Sequence, residues 1–209
     1  MEDRVNLILE KLEENFPIAT CALVHKNPFQ LLVSTILSAQ CTDERVNKVT
    51  PALFSRFPGP SEMAGAEQEV IEELIHSTGF FRNKAKSIRL ASEQIVKNFN
   101  GAVPDNMESL LTLPGVARKT ANVVLGTWFR KPEGVVVDTH VKRISGLLGF
   151  TKKKDPNQIE KDLMDLLPRE KWIDYSHRII LHGRKTCKAR KPLCSECFLS
   201  ELCPSAVLD

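Results

Sequence analysis

Two stretches of the chain hold residues whose types and spacing could do chemistry. The first is "LTLPGVARKTANVV", residues 111–124, where Pro114 and Gly115 make a turn and Arg118 and Lys119 open an otherwise apolar helix. Acids and hydroxyls are favoured at a helix N-terminus, because its unpaired N–H groups and the positive end of its dipole attract negative partners. This segment has no acid. Two cations with no competing carboxylate leave those N–H groups to an outside anion, so the corner reads as a cradle for a phosphate. The same pattern also describes an ordinary helical corner with two solvated cations. The second stretch is "CKARKPLCSECFLSELC", which packs Cys187, Cys194, Cys197 and Cys203 into seventeen residues. Four thiols so close suggest a metal site. Only Cys194 and Cys197 form a C-x2-C pair, whereas zinc with four thiolates usually uses two such pairs. One compact loop of thiolates equally suits a cubane cluster, so spacing alone leaves zinc and iron–sulfur both open.

Something must hold these residues in place, and the rest of the chain reads as helix after helix. Its 209 residues, 42% of them hydrophobic, are enough for one domain or two small ones with a real core. Asn27 can cap a helix opened by Pro28, in which Phe29, Leu32, Val33, Ile36 and Leu37 share one apolar face. Another helix follows Thr42. Ile88, Ala91, Ile95 and Phe99 line a third, stopped by "NFNG" at 98–101, where Asn and Gly tolerate the left-handed backbone that ends helices. Asp105 and Glu108 suggest a capping box for a short helix through Leu111. The hairpin then leads into a helix over 119–129. Asp138 is placed to cap "THVKRISGLLG"; Ile159, Leu163, Leu166 and Leu167 mark a helix after Asp155 and Pro156, and "EKWIDYSHRIILHG" marks one more. Only Val135, Val136 and Val137 look extended. The expected fold class is all-α, with no internal repeat or low-complexity tract.

Charge is nearly balanced, 29 Lys and Arg against 26 Asp and Glu, for a net +3. That permits an anionic partner without demanding one, since clustering matters more than the total. No apolar run approaches a membrane span, and "MEDRVNLILEKLEENF" lacks the architecture of a signal peptide. A cytoplasmic protein with no membrane partner is expected, and in that compartment structural disulfides are disfavoured. Cys21 and Cys41, isolated in apolar surroundings, read as small core residues.

"LPGVARKTANVV" resembles the helix-hairpin-helix signature L-P-G-V-G-R-K-T-A of the endonuclease III family of DNA glycosylases. Three further stretches match that family in the same order: "LLVSTILSAQCTDERVN" at 31–47, "TGFFRNKAKSI" at 78–88 and "VVVDTHVKR" at 135–143. The four cysteines, separated by six, two and five residues, have the spacing of the family's [4Fe–4S] cluster. Together these motifs cover nearly the whole chain.

The resemblance implies a helix-hairpin-helix DNA glycosylase fold. It would comprise a six-helix barrel domain over 22–132 and a second helical domain, from 1–21 and 133–209, holding the cluster on Cys187, Cys194, Cys197 and Cys203, with a cleft between the two. It implies a bifunctional glycosylase and abasic-site lyase of base excision repair, nucleoid-associated and monomeric, acting on double-stranded DNA with damaged bases or abasic sites. Oxidised pyrimidines such as thymine glycol would be its substrates. Breaking the bond to the base requires the nucleotide to leave the duplex, and only an amine nucleophile can go on to a Schiff base with the opened sugar. Lys119 holds the family's position for that amine, and Asp138 matches the carboxylate that would stabilise positive charge on the sugar. His140 is expected to be structural or to contact DNA. Leu113, Gly115, Ala117 and Arg118 belong to the phosphate-gripping hairpin. Gln40 would fill the hole left by the base, and Phe80 would wedge the opposite strand, with core packing expected for at least one of Phe80 and Phe81. Lys188, Arg190 and Lys191 would grip the backbone from the cysteine loop.

Two departures bear on this. Ala117 replaces the second hairpin glycine, which costs little if its φ is negative. The related mismatch adenine glycosylases carry a catalytic glutamate in the first helix and lack the motif lysine; this chain has Ser34 and keeps Lys119. The alternatives are a relative specific for photodimers or mismatched thymine, and a non-catalytic module that binds DNA structure.

Overall fold

The computed structural model describes residues 2–207, and among them it contains eleven α-helices, four short 3-10 turns and no strand. In chain order the helices are α1 (Glu2–Asn15), α2 (Pro28–Leu37), α3 (Asp43–Arg56), α4 (Pro60–Ala64), α5 (Gln68–Ile75), α6 (Phe81–Phe99), α7 (Met107–Leu111), α8 (Arg118–Thr127), α9 (Thr139–Leu147), α10 (Pro156–Leu166) and α11 (Trp172–Lys185). They fall into two compact units, one over Cys21–Lys131 and one formed by Met1–Thr20 with Pro132–Asp209.

The Cys21–Lys131 unit is built around α2. Asn27 caps it, Oδ1 accepting the Gln30 N–H at 2.8 Å, and Pro28 sits in the first turn where a missing N–H costs nothing. Every residue from Leu31 to Leu37 is buried, so this helix is enclosed on all sides rather than along one face. Helices α3, α6 and α8 pack against it. The buried stripe of α6 is Ala85, Ile88, Ala91 and Ile95, and the helix ends where Asn100 (φ 51°) and Gly101 (φ 79°) turn left-handed. The resemblance implies six helices here; the unit holds seven α-helices, of which α4 and α7 have only five residues each.

One expectation needs correcting. The cap of α7 is Asn106, whose Oδ1 accepts the Ser109 N–H at 2.9 Å, and not Asp105. Asp105 instead takes the ammonium of Lys131, and this contact holds its carboxyl below the usual range.

In the other unit α1 packs on α11, and Ile8, Leu12, Ile144, Ile159, Leu163, Tyr175 and Ile179 are fully or almost fully buried. Val135 and Val137 are extended and buried without joining a sheet. Arg178, 6% exposed, is the buried charge that organises this core: its Nε donates to the Phe16 carbonyl at 3.2 Å and its guanidinium reaches Glu13 at 3.3 Å. Lys171 also binds Glu13, at 2.9 Å, and the two cations hold that carboxyl below its ordinary pKa.

Candidate functional site

The hairpin between α7 and α8 is pinned from inside by Leu113 and Val116, 2% and 7% exposed, with the Val116 N–H on the Leu113 carbonyl at 3.1 Å. The Leu113 side chain is therefore core, so it offers no side-chain contact to a ligand. Gly115 is required twice over. Its φ is 78°, and a Cβ there would lie 2.8 Å from Cβ of Ser87 on α6. Ala117, by contrast, has φ −98° and ψ 171°, extended backbone that any residue adopts, so its methyl group carries no conformational cost.

Ala117 is also the residue before α8, and its methyl group gives the helix no side-chain cap. The first N–H groups of a helix have no partner within it, and they stand here beside Arg118 and an exposed Lys119. The corner thus combines open donors, the positive end of a dipole and a solvent-facing primary amine.

Two more side chains of this unit stand out on its surface. Gln40, exposed, has φ 52° and sits in a turn closed by the Cys41 N–H on the Ser38 carbonyl at 3.1 Å. Phe80, 66% exposed, has φ 48° just before α6. Phe81 behaves differently: it is half-buried against the core and stacks on His76, the ring centroids 4.4 Å apart. Between the two loops lies a residue to which sequence reasoning gave no role. Lys84 is only 6% exposed, and its ammonium donates to the carbonyls of Leu37 and Thr78, both at 2.8 Å.

In the second unit Asp138 caps α9, Oδ1 accepting the Val141 N–H at 2.8 Å, which fixes the half-buried carboxylate. The preceding segment is tied down by the Val136 N–H on the Ser176 hydroxyl at 3.1 Å. His140 packs so closely on α11 that a Cβ at Gly183 would come within 2.4 Å of its Nδ1. That ring nitrogen is buried, with no hydrogen-bond partner among the described residues.

Cys187, Cys194, Cys197 and Cys203 line one cavity of about 80 Å³, walled otherwise by apolar side chains such as Ile144, Leu147, Leu148, Leu193 and Leu199. A single water needs only about 10–15 Å³, so the space suits a group of several atoms. Burial pushes the Cys197 and Cys203 thiols up, and the neighbouring cysteines push the same way. Thiolates are favoured there only once positive metal charge is present. A largely apolar cavity of this size lined by four cysteines therefore fits an iron–sulfur cluster. Arg143 buttresses the site, donating to the Cys187 carbonyl at 2.7 Å and approaching its Sγ at 3.4 Å. Burial and the nearby Arg143 charge push His182, 3.8 Å from Cys197 Sγ, down to about 4, so it stays neutral. Lys188, Arg190 and Lys191, between the first two cysteines, are exposed.

Comparison with known proteins now gives the class. Residues 33–169 match the profile of the HhH-GPD superfamily of base excision DNA repair proteins, and 187–203 match the iron–sulfur binding domain of endonuclease III. The endonuclease III of Synechocystis sp. is 63% identical over 200 residues, which cover 96% of this chain and 90% of that one. Among solved structures, a non-covalent endonuclease III–DNA complex superposes with a TM-score of 0.93 at 42% identity, covering 99% of this chain and 96% of the other. A trapped covalent endonuclease III–DNA intermediate gives the same score and identity over 99% and 97%. The chain belongs to the endonuclease III family. Its activity is that of a DNA glycosylase with abasic-site lyase activity in base excision repair, its cofactor is a [4Fe–4S] cluster, and its partner is DNA.

Proposed function

We propose that Lys119 is the nucleophile, that Asp138 is the carboxylate that stabilises positive charge on the sugar, and that the substrates are oxidised pyrimidines, such as thymine glycol, and abasic sites in double-stranded DNA. The observation that carries this reading is the uncapped start of α8, where an exposed amine stands beside open backbone donors directly after the Gly115 turn. The donors and Arg118 hold a phosphate of the damaged strand, while Gln40 fills the gap left by the extruded base and Phe80 wedges the opposite strand. The unprotonated Lys119 Nζ attacks C1′, and the C1′–base bond breaks with its electron pair leaving on the base, which takes up a proton. The sugar ring then opens to a Schiff base on Nζ. Loss of a C2′ proton expels the 3′ phosphate by β-elimination, and water returns the free amine. Asp138 faces the positive charge that develops on the sugar and relays protons during ring opening. A solvent-exposed lysine gains little desolvation from its own unit, so bound DNA has to exclude water from it.

Cys187, Cys194, Cys197 and Cys203 hold the cluster, whose contribution is to fix the loop bearing Lys188, Arg190 and Lys191 against the DNA backbone. The protein acts as a monomer in the cytoplasm, where reducing conditions disfavour structural disulfides. Borohydride reduction on a thymine glycol or abasic duplex tests the reading. The unaltered protein should give a covalent adduct, and Lys119→Gln should bind the same duplex yet give none. An adduct that persists in the variant would assign the chemistry to another amine. Binding with no adduct from the unaltered protein would leave only a DNA-structure-binding module. A panel of oxidised, photodimer and mismatch duplexes separates the lesion classes.

A further inference from the structure

A buried lysine with no carboxylate beside it needs a reason, because Lys is almost never fully buried unless its charge is matched. Lys84 meets backbone oxygens instead. One is the carbonyl of Leu37, the last residue of α2, where unpaired carbonyls and the negative end of the dipole favour a cation. The other is the carbonyl of Thr78, which belongs to the peptide leading into Gly79 at φ 70° and Phe80 at φ 48°. The backbone N–H of Lys84 takes the Phe80 carbonyl at 3.1 Å. One residue thus grips the chain on both sides of Phe80 and, three residues upstream of Gln40, the end of α2 as well.

Both exposed side chains stand on strained backbone. Gln40 and Phe80 have positive φ without being glycine, and such conformations persist only where the surroundings over-determine them. Burial pushes the pKa of Lys84 down, with Cys41 opposing, so the site tolerates a costly charge to keep these bonds.

The geometry points to Lys84 as a positioning residue that locks the Gln40 and Phe80 loops together, so that both side chains enter the DNA stack as one preset wedge. This rests on the wedge reading of Gln40 and Phe80. Lys84 itself touches no DNA in this scheme.

The test uses the full-length, cluster-loaded protein and two duplexes of one sequence, one undamaged and one holding a tetrahydrofuran abasic-site analogue. Lys84→Met keeps the aliphatic stem and removes the donors. Its affinity for the undamaged duplex should stay within about twofold, while affinity for the abasic analogue falls on the order of tenfold, since displaced positioning groups can cost up to about 100-fold. In a Gln40→Ala, Phe80→Ala background the same substitution should change the ratio of the two affinities by less than about twofold, because the partners through which it acts are gone. Equal losses on both duplexes, or an undiminished loss in the double-alanine background, would overturn the role of Lys84. If the alanine substitutions alone leave the ratio intact, the wedge reading fails first and takes this inference with it. A measurement independent of how Lys84→Met folds is the fluorine spectrum of 4-fluorophenylalanine placed at position 80 in the otherwise unaltered protein. A single resonance is expected from a locked loop, and several resonances would refute it.

Discussion

The cap that Asp138 provides and the catalytic role we propose for it share one carboxylate, and substitution can separate them. Its Oδ1 caps α9 through the Val141 N–H, a task asparagine performs as well as aspartate. Asp138→Asn should therefore keep its stability within about 0.5 kcal/mol of the parent, while on the proposed mechanism the loss of the carboxylate charge lowers single-turnover excision by about 100-fold or more. Asp138→Ala should lose the same activity and, in addition, about 1 kcal/mol of stability with the cap. Equal stability losses in both variants, read by thermal unfolding, would show that the carboxylate rather than the cap geometry stabilises α9. The sequence itself pointed to an anion-binding corner at Arg118 and Lys119, to a cap at Asp138 and to a metal site at the four cysteines, whereas the catalytic roles of Lys119 and Asp138 and the choice of cluster came from the family resemblance. Lys84 was legible in a weaker way. It lies four residues before Ile88 and in phase with Ala91 and Ile95, so a cation sits on the apolar stripe of α6. What the pattern could not reveal is its partners, because two backbone carbonyls carry no residue signature.

The elements show where capping chemistry is ambiguous. Asp105 and Asn106 are adjacent, and either could start α7; the structure gives the cap to Asn106 because Asp105 is taken by Lys131. That competitor lies 26 residues away, beyond any local pattern. At the hairpin the two small residues have opposite tolerances, although both stand where the family signature has glycine. Gly115→Ala should destabilise the protein by about 1–2 kcal/mol from its left-handed backbone alone, and the approach to Ser87 at 2.8 Å adds to that. Ala117→Gly should leave DNA affinity within about twofold and stability within a few tenths of a kcal/mol, since glycine is accepted at this N-cap position. Thermal unfolding and binding to an abasic duplex check the pair. A large gain in affinity from Ala117→Gly would mean that the Ala117 methyl obstructs a phosphate.

For the molecule as a whole, a net charge of +3 on 209 residues would be a weak basis for binding a polyanion if it were spread evenly. Instead some of the cations are clustered. Arg118 and Lys119 stand at one helix start in the Cys21–Lys131 unit, while Lys188, Arg190 and Lys191 crowd a short loop that the cysteines close in the other. Counterion release depends on how many phosphates are neutralised, with the logarithm of affinity falling by about 0.9 per contact for each logarithm of salt. If the three loop cations each meet one phosphate, replacing all three with alanine should lower the slope magnitude by about 2.7. The affinity loss should be similar for undamaged and abasic duplexes, because backbone contacts position the protein without reading the lesion. Removing the cluster should lower the slope in the same direction even with every cation intact, since the thiols then no longer converge on a common group and the loop loses its fixed shape. A slope unchanged by the triple substitution would remove the loop from the DNA interface. A slope unchanged by cluster loss would show that the loop holds its shape without the metal, and the cluster would then need a role other than shaping this surface.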